Sequence, residues 1–157
     1  MALRSPFVAM MAIALGSLVG CGNEEGVLLE ANLDSPVLTV TATPLTTDLT
    51  GSFDIELSLG ERASDPTSVK LGVFSLLRGD EVVFSPLELD TSPGFPLTVD
   101  VGGTKHVDVT IANPDGPVEL ADALCGSPLQ IRGTLTDSLG DDRPQTVTSL
   151  PFPPDCR

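Results

Sequence analysis

Ser52-Phe53-Asp54-Ile55-Glu56-Leu57-Ser58-Leu59 alternates polar and apolar residues without a break. A β-strand sends successive side chains to opposite faces. This period of two therefore predicts a strand with Phe53, Ile55, Leu57 and Leu59 in a core and Ser52, Asp54, Glu56 and Ser58 in water. Weaker versions of the pattern lie on both sides. Leu38, Val40 and Ala42 predict a strand before it, and Val69, Leu71 and Val73 one after it that runs on through Phe74, Leu76 and Leu77. Val82 to Leu89 returns from that strand across Gly79-Asp80, a glycine-first two-residue turn whose twist suits a hairpin. That turn sets Arg78 opposite Glu81, a cross-strand charge pair.

Further along, Leu97, Val99 and Val101 lead through Gly102-Gly103-Thr104 to Val107, Val109 and Ile111. A three-residue loop there predicts Val99 opposite Val107 and Leu97 opposite Val109. Pro114-Asp115-Gly116-Pro117 is strong turn chemistry, and Val118 to Leu124 can form one or two helical turns, so this region reads as a crossover. The last two strands, Leu129 to Thr136 and Gln145 to Phe152, flank Ser138-Leu139-Gly140-Asp141-Asp142. With Gly140 and Asp141 in the turn, Ile131 faces Leu150, Leu129 faces Phe152, and Cys125 faces Cys156. Val147 breaks the alternation and marks a candidate bulge. About seven or eight short strands, with turn signals every ten or so residues and no long helical period, predict an all-β fold: two antiparallel sheets packed as a sandwich.

The run Leu129-Gln130-Ile131-Arg132-Gly133-Thr134-Leu135-Thr136-Asp137-Ser138, followed by Thr146-Val147-Thr148-Ser149, is similar to the terminal hairpin of bacterial immunoglobulin-like and fibronectin-type-III-like domains. The resemblance implies an immunoglobulin-like sandwich over residues 36–157. Two marks of antibody domains, a buried strand Trp and an inter-sheet Cys pair, are missing, and a transthyretin-like sandwich would share the same pattern.

At the other end, Arg4 precedes an apolar run from Phe7 to Leu18, which closes in Leu18-Val19-Gly20-Cys21. A basic residue, a short apolar core and small residues before a cysteine form an export signal. The core is about a dozen residues, whereas a membrane-spanning helix needs roughly twenty. The stretch resembles the processing site of bacterial lipoproteins. That resemblance implies removal of residues 1–20 as a signal peptide and a lipid on Cys21 that anchors the protein to a membrane. In that family an Asp after the cysteine retains proteins at the inner membrane. Gly22 stands there instead, which points to the cell envelope's outer membrane in a Gram-negative bacterium. Residues 21–35, with Asn23, Glu24, Glu25 and Glu30, read as the lipidated N-terminus and tether, although the apolar triplet Val27, Leu28 and Leu29 offers a way to dock on the domain.

The chain has three cysteines, an odd number for an exported protein. Lipidation of Cys21 leaves Cys125 and Cys156 as a pair, and export makes a disulfide between them the expectation. Directly opposed residues in antiparallel strands have Cα atoms about 4.5 to 5.5 Å apart, within bridging range.

Charge and aromatic content exclude several functions. The 157 residues include 22 Asp and Glu against 8 Lys and Arg, for a net charge of −14. Binding to nucleic acid relies on clustered Lys and Arg, so no nucleic-acid partner is expected. With 6 Phe and no Trp or Tyr, the chain lacks the aromatic platforms used to stack bases and sugars.

The candidate sites are few. His106 is the only histidine and shares a face with Asp108 and Thr110. No Gly-x-Ser-x-Gly elbow accompanies it, so an envelope hydrolase using His106 is a lesser alternative. Asp137, Asp141 and Asp142 crowd one loop and could supply oxygen ligands to calcium, although their spacing matches no EF-hand. Zinc is disfavoured by one histidine and two cysteines better used together. Arg78-Gly79-Asp80 spells the tripeptide used by integrin ligands, but the turn and the charge pair account for the same residues. The expectation is a noncatalytic structural or protein-binding module without a cofactor. It is held to a membrane through Cys21 and faces another envelope or extracellular protein, with calcium-dependent binding through the 137–142 loop as the alternative.

Overall fold

The computed structural model describes residues 29–157; the expected signal peptide, Cys21 and the first part of the tether lie outside the described residues. In chain order the strands are β1 (Leu29–Ala42), β2 (Thr47–Leu59), β3 (Thr67–Arg78), β4 (Glu81–Phe84), β5 (Leu89–Ser92), β6 (Leu97–Val99), β7 (Thr104–Gly116), β8 (Gln130–Asp137), β9 (Gln145–Thr148) and β10 (Asp155–Cys156), with one short helix, α1 (Leu120–Leu124), between β7 and β8. They form two sheets, ordered β10-β1-β2-β7-β5 and β4-β3-β8-β9, with β6 also paired to β3. All pairings are antiparallel except the parallel contact of β10 with β1. The fold is an all-β sandwich. The order β1-β2-β7-β5 facing β3-β8-β9 is that of an immunoglobulin-type sandwich.

The core lies between the sheets and forms because each long strand buries alternate residues. In β2 these are Leu49, Phe53, Ile55, Leu57 and Leu59; in β7 they are Val107, Val109 and Ile111. Phe53 of the first sheet stacks on Phe74 of the second, with ring centroids 5.8 Å apart. Such a pair adds about 0.5–1.5 kcal/mol beyond the area it buries. Gly133 sits opposite Phe74 on β8 at an inward position of the alternation. A side-chain carbon there would overlap the Phe74 ring, so the phenyl group occupies the space that glycine leaves.

Among the described residues the sandwich has ten strands where seven or eight were expected. The run from Val82 to Leu89 is not one strand, because it breaks at Pro86 into β4 and β5, which join different sheets. Proline has no N–H for the ladder, which favours a break there. The other addition is β10.

Residues 29–34, expected to be part of a tether, instead belong to β1 and pair with β2 from Leu29↔Leu59 to Asp34↔Asp54. Leu29 and Leu33 are buried in the core. Beyond Asp34 the register shifts by one residue, at Ser35, whose φ is +51°, and Pro36. This bulge flips the inward parity from odd to even, so Leu38 and Val40 point inward. A second shift between Leu71 and Phe74 does the same in β3.

Two expected pairings are corrected. Gly102-Gly103-Thr104 does not join a hairpin, because β6 pairs with β3 as Thr67↔Val99 and Val69↔Leu97, while β7 pairs with β2 and β5. Val99 and Val107 are both fully buried, but they reach the core from opposite sheets. In the last hairpin, Leu129 does bridge Phe152, but the strands run one residue off the expected register, with Gly133↔Val147 and Leu135↔Gln145. Val147 is thus an ordinary inward residue. The irregularity falls after it, where Ser149, not Leu150, bonds to both the carbonyl and the amide of Ile131, each at 2.9 Å. Leu150 is left 81% exposed.

Candidate functional site

Three places hold the side chains singled out by their chemistry: the outer face of the first sheet, the β8–β9 loop, and the crossover with the C-terminal strand.

On the first sheet, outward positions alternate with the core residues. They carry Glu30 and Asp34 on β1, Asp48, Asp54 and Glu56 on β2, Asp108 on β7 and Asp90 on β5, with no Lys or Arg at any outward position of these strands. Register aligns three carboxylates in one row across the sheet, Asp34↔Asp54 and Asp54↔Asp108, with Ser92 opposite Asp108 on the far side. The neighbouring row is Asn32↔Glu56↔His106. His106 is exposed, and its Nδ1 lies 3.7 Å from the Glu56 carboxylate. The imidazole therefore has a carboxylate across the strand but sits on an open sheet face, and among the described residues it makes no hydrogen bond to a serine. At one end of this face, Asp48, Leu49, Thr50, Ala112, Asn113 and Pro114 line a shallow depression of about 180 Å³. That is below the size range of small-molecule pockets, about 300–1,000 Å³.

In the β8–β9 loop the three candidate calcium ligands are separated. Asp137 points inward and is buried. Its Oδ1 accepts bonds from the Thr67 hydroxyl at 3.0 Å and from the amides of Leu139 at 3.0 Å and Gly140 at 2.9 Å. Asp142 pairs with Lys70 at 3.2 Å on the surface, and Asp141 is exposed. Among the described residues no group of three His, Cys, Asp or Glu is placed to hold a metal ion. Asp137 instead fixes the loop by satisfying main-chain donors. The turn is wider than Gly140-Asp141, closing through Asp142 N to Asp137 O at 3.0 Å with both Asp141 and Asp142 at positive φ.

The chain matches no family model, no curated protein and no solved structure. Its site must be read from its own geometry.

Cys125 and Cys156 form a disulfide, with Cα atoms 6.2 Å apart. The expected bond is present, but it does not close the base of the β8–β9 hairpin. Cys156 lies in β10, opposite Val40 of β1, and Cys125 caps α1. The bond therefore joins the crossover to the edge of the first sheet. The turn at Gly79-Asp80 is as expected, with Gly79 at φ +60° and Arg78 opposite Glu81 in the ladder, but the expected charge pair between these two side chains does not form. The Arg78 guanidinium is not displayed at the tip. It donates to the Ala123 carbonyl in the last turn of α1, where a cation suits the helix end. This role was not readable in sequence, since nothing near Arg78 announces contact with a helix 45 residues away.

Proposed function

We propose that the protein is a lipid-anchored component of the bacterial cell envelope, on the outer membrane, whose immunoglobulin-like or fibronectin-type-III-like domain acts by binding another protein or by structural support. The observation that carries this reading is the position of Leu18-Val19-Gly20-Cys21 only a short way ahead of a folded sandwich that starts at Leu29. The segment between Cys21 and Leu29 reaches at most about 28 Å when fully extended, so lipid on Cys21 would hold the domain close to the bilayer. Lipid chains stabilise membrane attachment by about 0.8 kcal/mol per buried methylene, and more than one chain makes it durable. The acidic outer face of the first sheet favours a partner surface that carries Lys or Arg, with steering over a Debye length of about 8 Å at physiological salt.

Expression of the full chain and of Cys21→Ser in a Gram-negative host tests the anchor. The unaltered chain is expected to incorporate radiolabelled palmitate and sediment with outer membranes, and the variant to do neither. Equal labelling and sedimentation of the two would overturn the reading. Crosslinking from the first sheet's face in intact envelopes then tests the partner: a captured protein should be lost when Asp54 and Asp108 are changed to Lys.

A further inference from the structure

β10 covers the outer edge of β1 with very little. Thr39 pairs with Asp155 and Val40 with Cys156, in parallel. Arg157 N donates to Val40 O and Ala42 N to Arg157 O, both at 2.9 Å. Asp155, Cys156 and Arg157 are all exposed, so this strand adds no side chain to the core. The last residue rooted in the body is Phe152, which is buried and exchanges two main-chain bonds of 2.8 Å with Leu129. Pro153 and Pro154, which follow it, have no N–H to donate.

The other end of the disulfide is firmly held. Cys125 follows α1, whose Leu120 and Leu124 are in the core. The Ala123 carbonyl accepts from Arg78, and the Val118 carbonyl accepts from the Thr47 hydroxyl at 3.2 Å. Breaking the bond is therefore asymmetric in its effect. The crossover keeps its packing and hydrogen bonds, whereas β10 keeps only a short edge ladder open to water, and such bonds, with no buried side chain behind them, open locally at little cost.

We propose that β10 is a disulfide-latched cover over a docking edge: reduction of Cys125–Cys156 by an external dithiol releases residues 153–157 and opens β1, around Val40 to Ala42, to an extended segment of a partner protein. The dithiol supplies two electrons and two protons. The Sγ–Sγ bond breaks, two thiols form, and the reductant leaves as its own disulfide. The occupant is an extended strand because this edge already accepts one, and a freed Val40 carbonyl and Ala42 amide are a template for strand addition. The identity of the occupant rests on the reading of the domain as a protein-binding module; the release does not.

Hydrogen–deuterium exchange on the full chain tests both halves. After reduction with dithiothreitol, the Ala42 amide is expected to exchange at close to the rate of an unstructured amide, while amides in the middle of β2 and β7 stay strongly protected, with only the fall that the lost cross-link imposes through global unfolding. Cys156→Ser should give the same pattern without reductant. A synthetic Val- and Thr-rich peptide, long enough to pair with β1 beyond the two residues that β10 covers and so to outcompete the freed tail, should slow Ala42 again in the reduced chain and leave the oxidised chain unaffected. Unchanged protection at Ala42 after reduction overturns the latch. Loss of protection throughout β2 and β7 overturns it too, because the bond would then staple the whole fold. Release without any effect of the peptide overturns the docking edge alone, and leaves the module reading to the crosslinking experiment above.

Discussion

Gly133 and Phe74 act as one packing unit, because the ring of one fills the place of the other's missing side chain. Adding a methyl group in Gly133→Ala should destabilise the domain by about 1–3 kcal/mol, the usual cost of overpacking. Coupling is the sharper test: in the Phe74→Leu background the same change should cost less, which a urea-denaturation double-mutant cycle would detect as interaction energy. Equal costs in both backgrounds would refute the packing account. Asp137 makes a different argument. Its Oδ1 serves three donors, so Asp137→Ala should cost about 1–3 kcal/mol by leaving buried donors unpaired. The loss should be the same with calcium as with chelator, while Asp141→Asn, which removes the charge but keeps a side chain suited to its positive φ, should be close to neutral. At this scale the sequence was partly legible. Alternation marked Phe53, Ile55 and Leu57 as core, but the inward direction of Asp137 was hidden, since an Asp beside a glycine turn normally reads as solvated.

The elements explain why some pairings were readable and others not. Gly79-Asp80 fixed the β3–β4 hairpin because turn chemistry and register are local. The link from β6 to β7 misled, since period two says only that Val99 and Val107 face a core, and a sandwich has two sheets facing the same core. The bulges at Ser35-Pro36 and between Leu71 and Phe74 each flip the parity of a strand. This is why Leu29 and Leu33 did not join Leu38 and Val40 in one visible pattern. The row Asp34, Asp54 and Asp108 carries a stability consequence of its own. Like charges directly opposed on neighbouring strands destabilise a sheet, by roughly 0.2–1 kcal/mol per pair. Asp54→Thr relieves two such pairs and adds a β-branched residue, so it should raise the unfolding free energy by roughly 0.4–2 kcal/mol at low salt. The gain should shrink as ionic strength rises. A stabilisation independent of salt would mean that propensity, not charge, is responsible.

Across the whole molecule, the Cys125–Cys156 bond spans 31 residues of sequence, including the β8–β9 hairpin, and ties the crossover to the edge of the first sheet. Cysteine count and export made this pairing legible, while its role was not, because β10 is too short and polar to announce a strand. Closing a loop of this length stabilises a folded chain by roughly 3–4 kcal/mol if the effect is unfolded-state entropy. Domains of this size have stabilities of about 5–15 kcal/mol, so the double variant Cys125→Ser, Cys156→Ser should still fold at room temperature. Its urea midpoint should fall, with a slightly larger dependence on denaturant because the unlinked chain exposes more surface when it unfolds. A loss below about 1 kcal/mol would show that the unfolded chain was never much constrained by the bond, and that residual structure between Cys125 and Cys156 already holds the ends together.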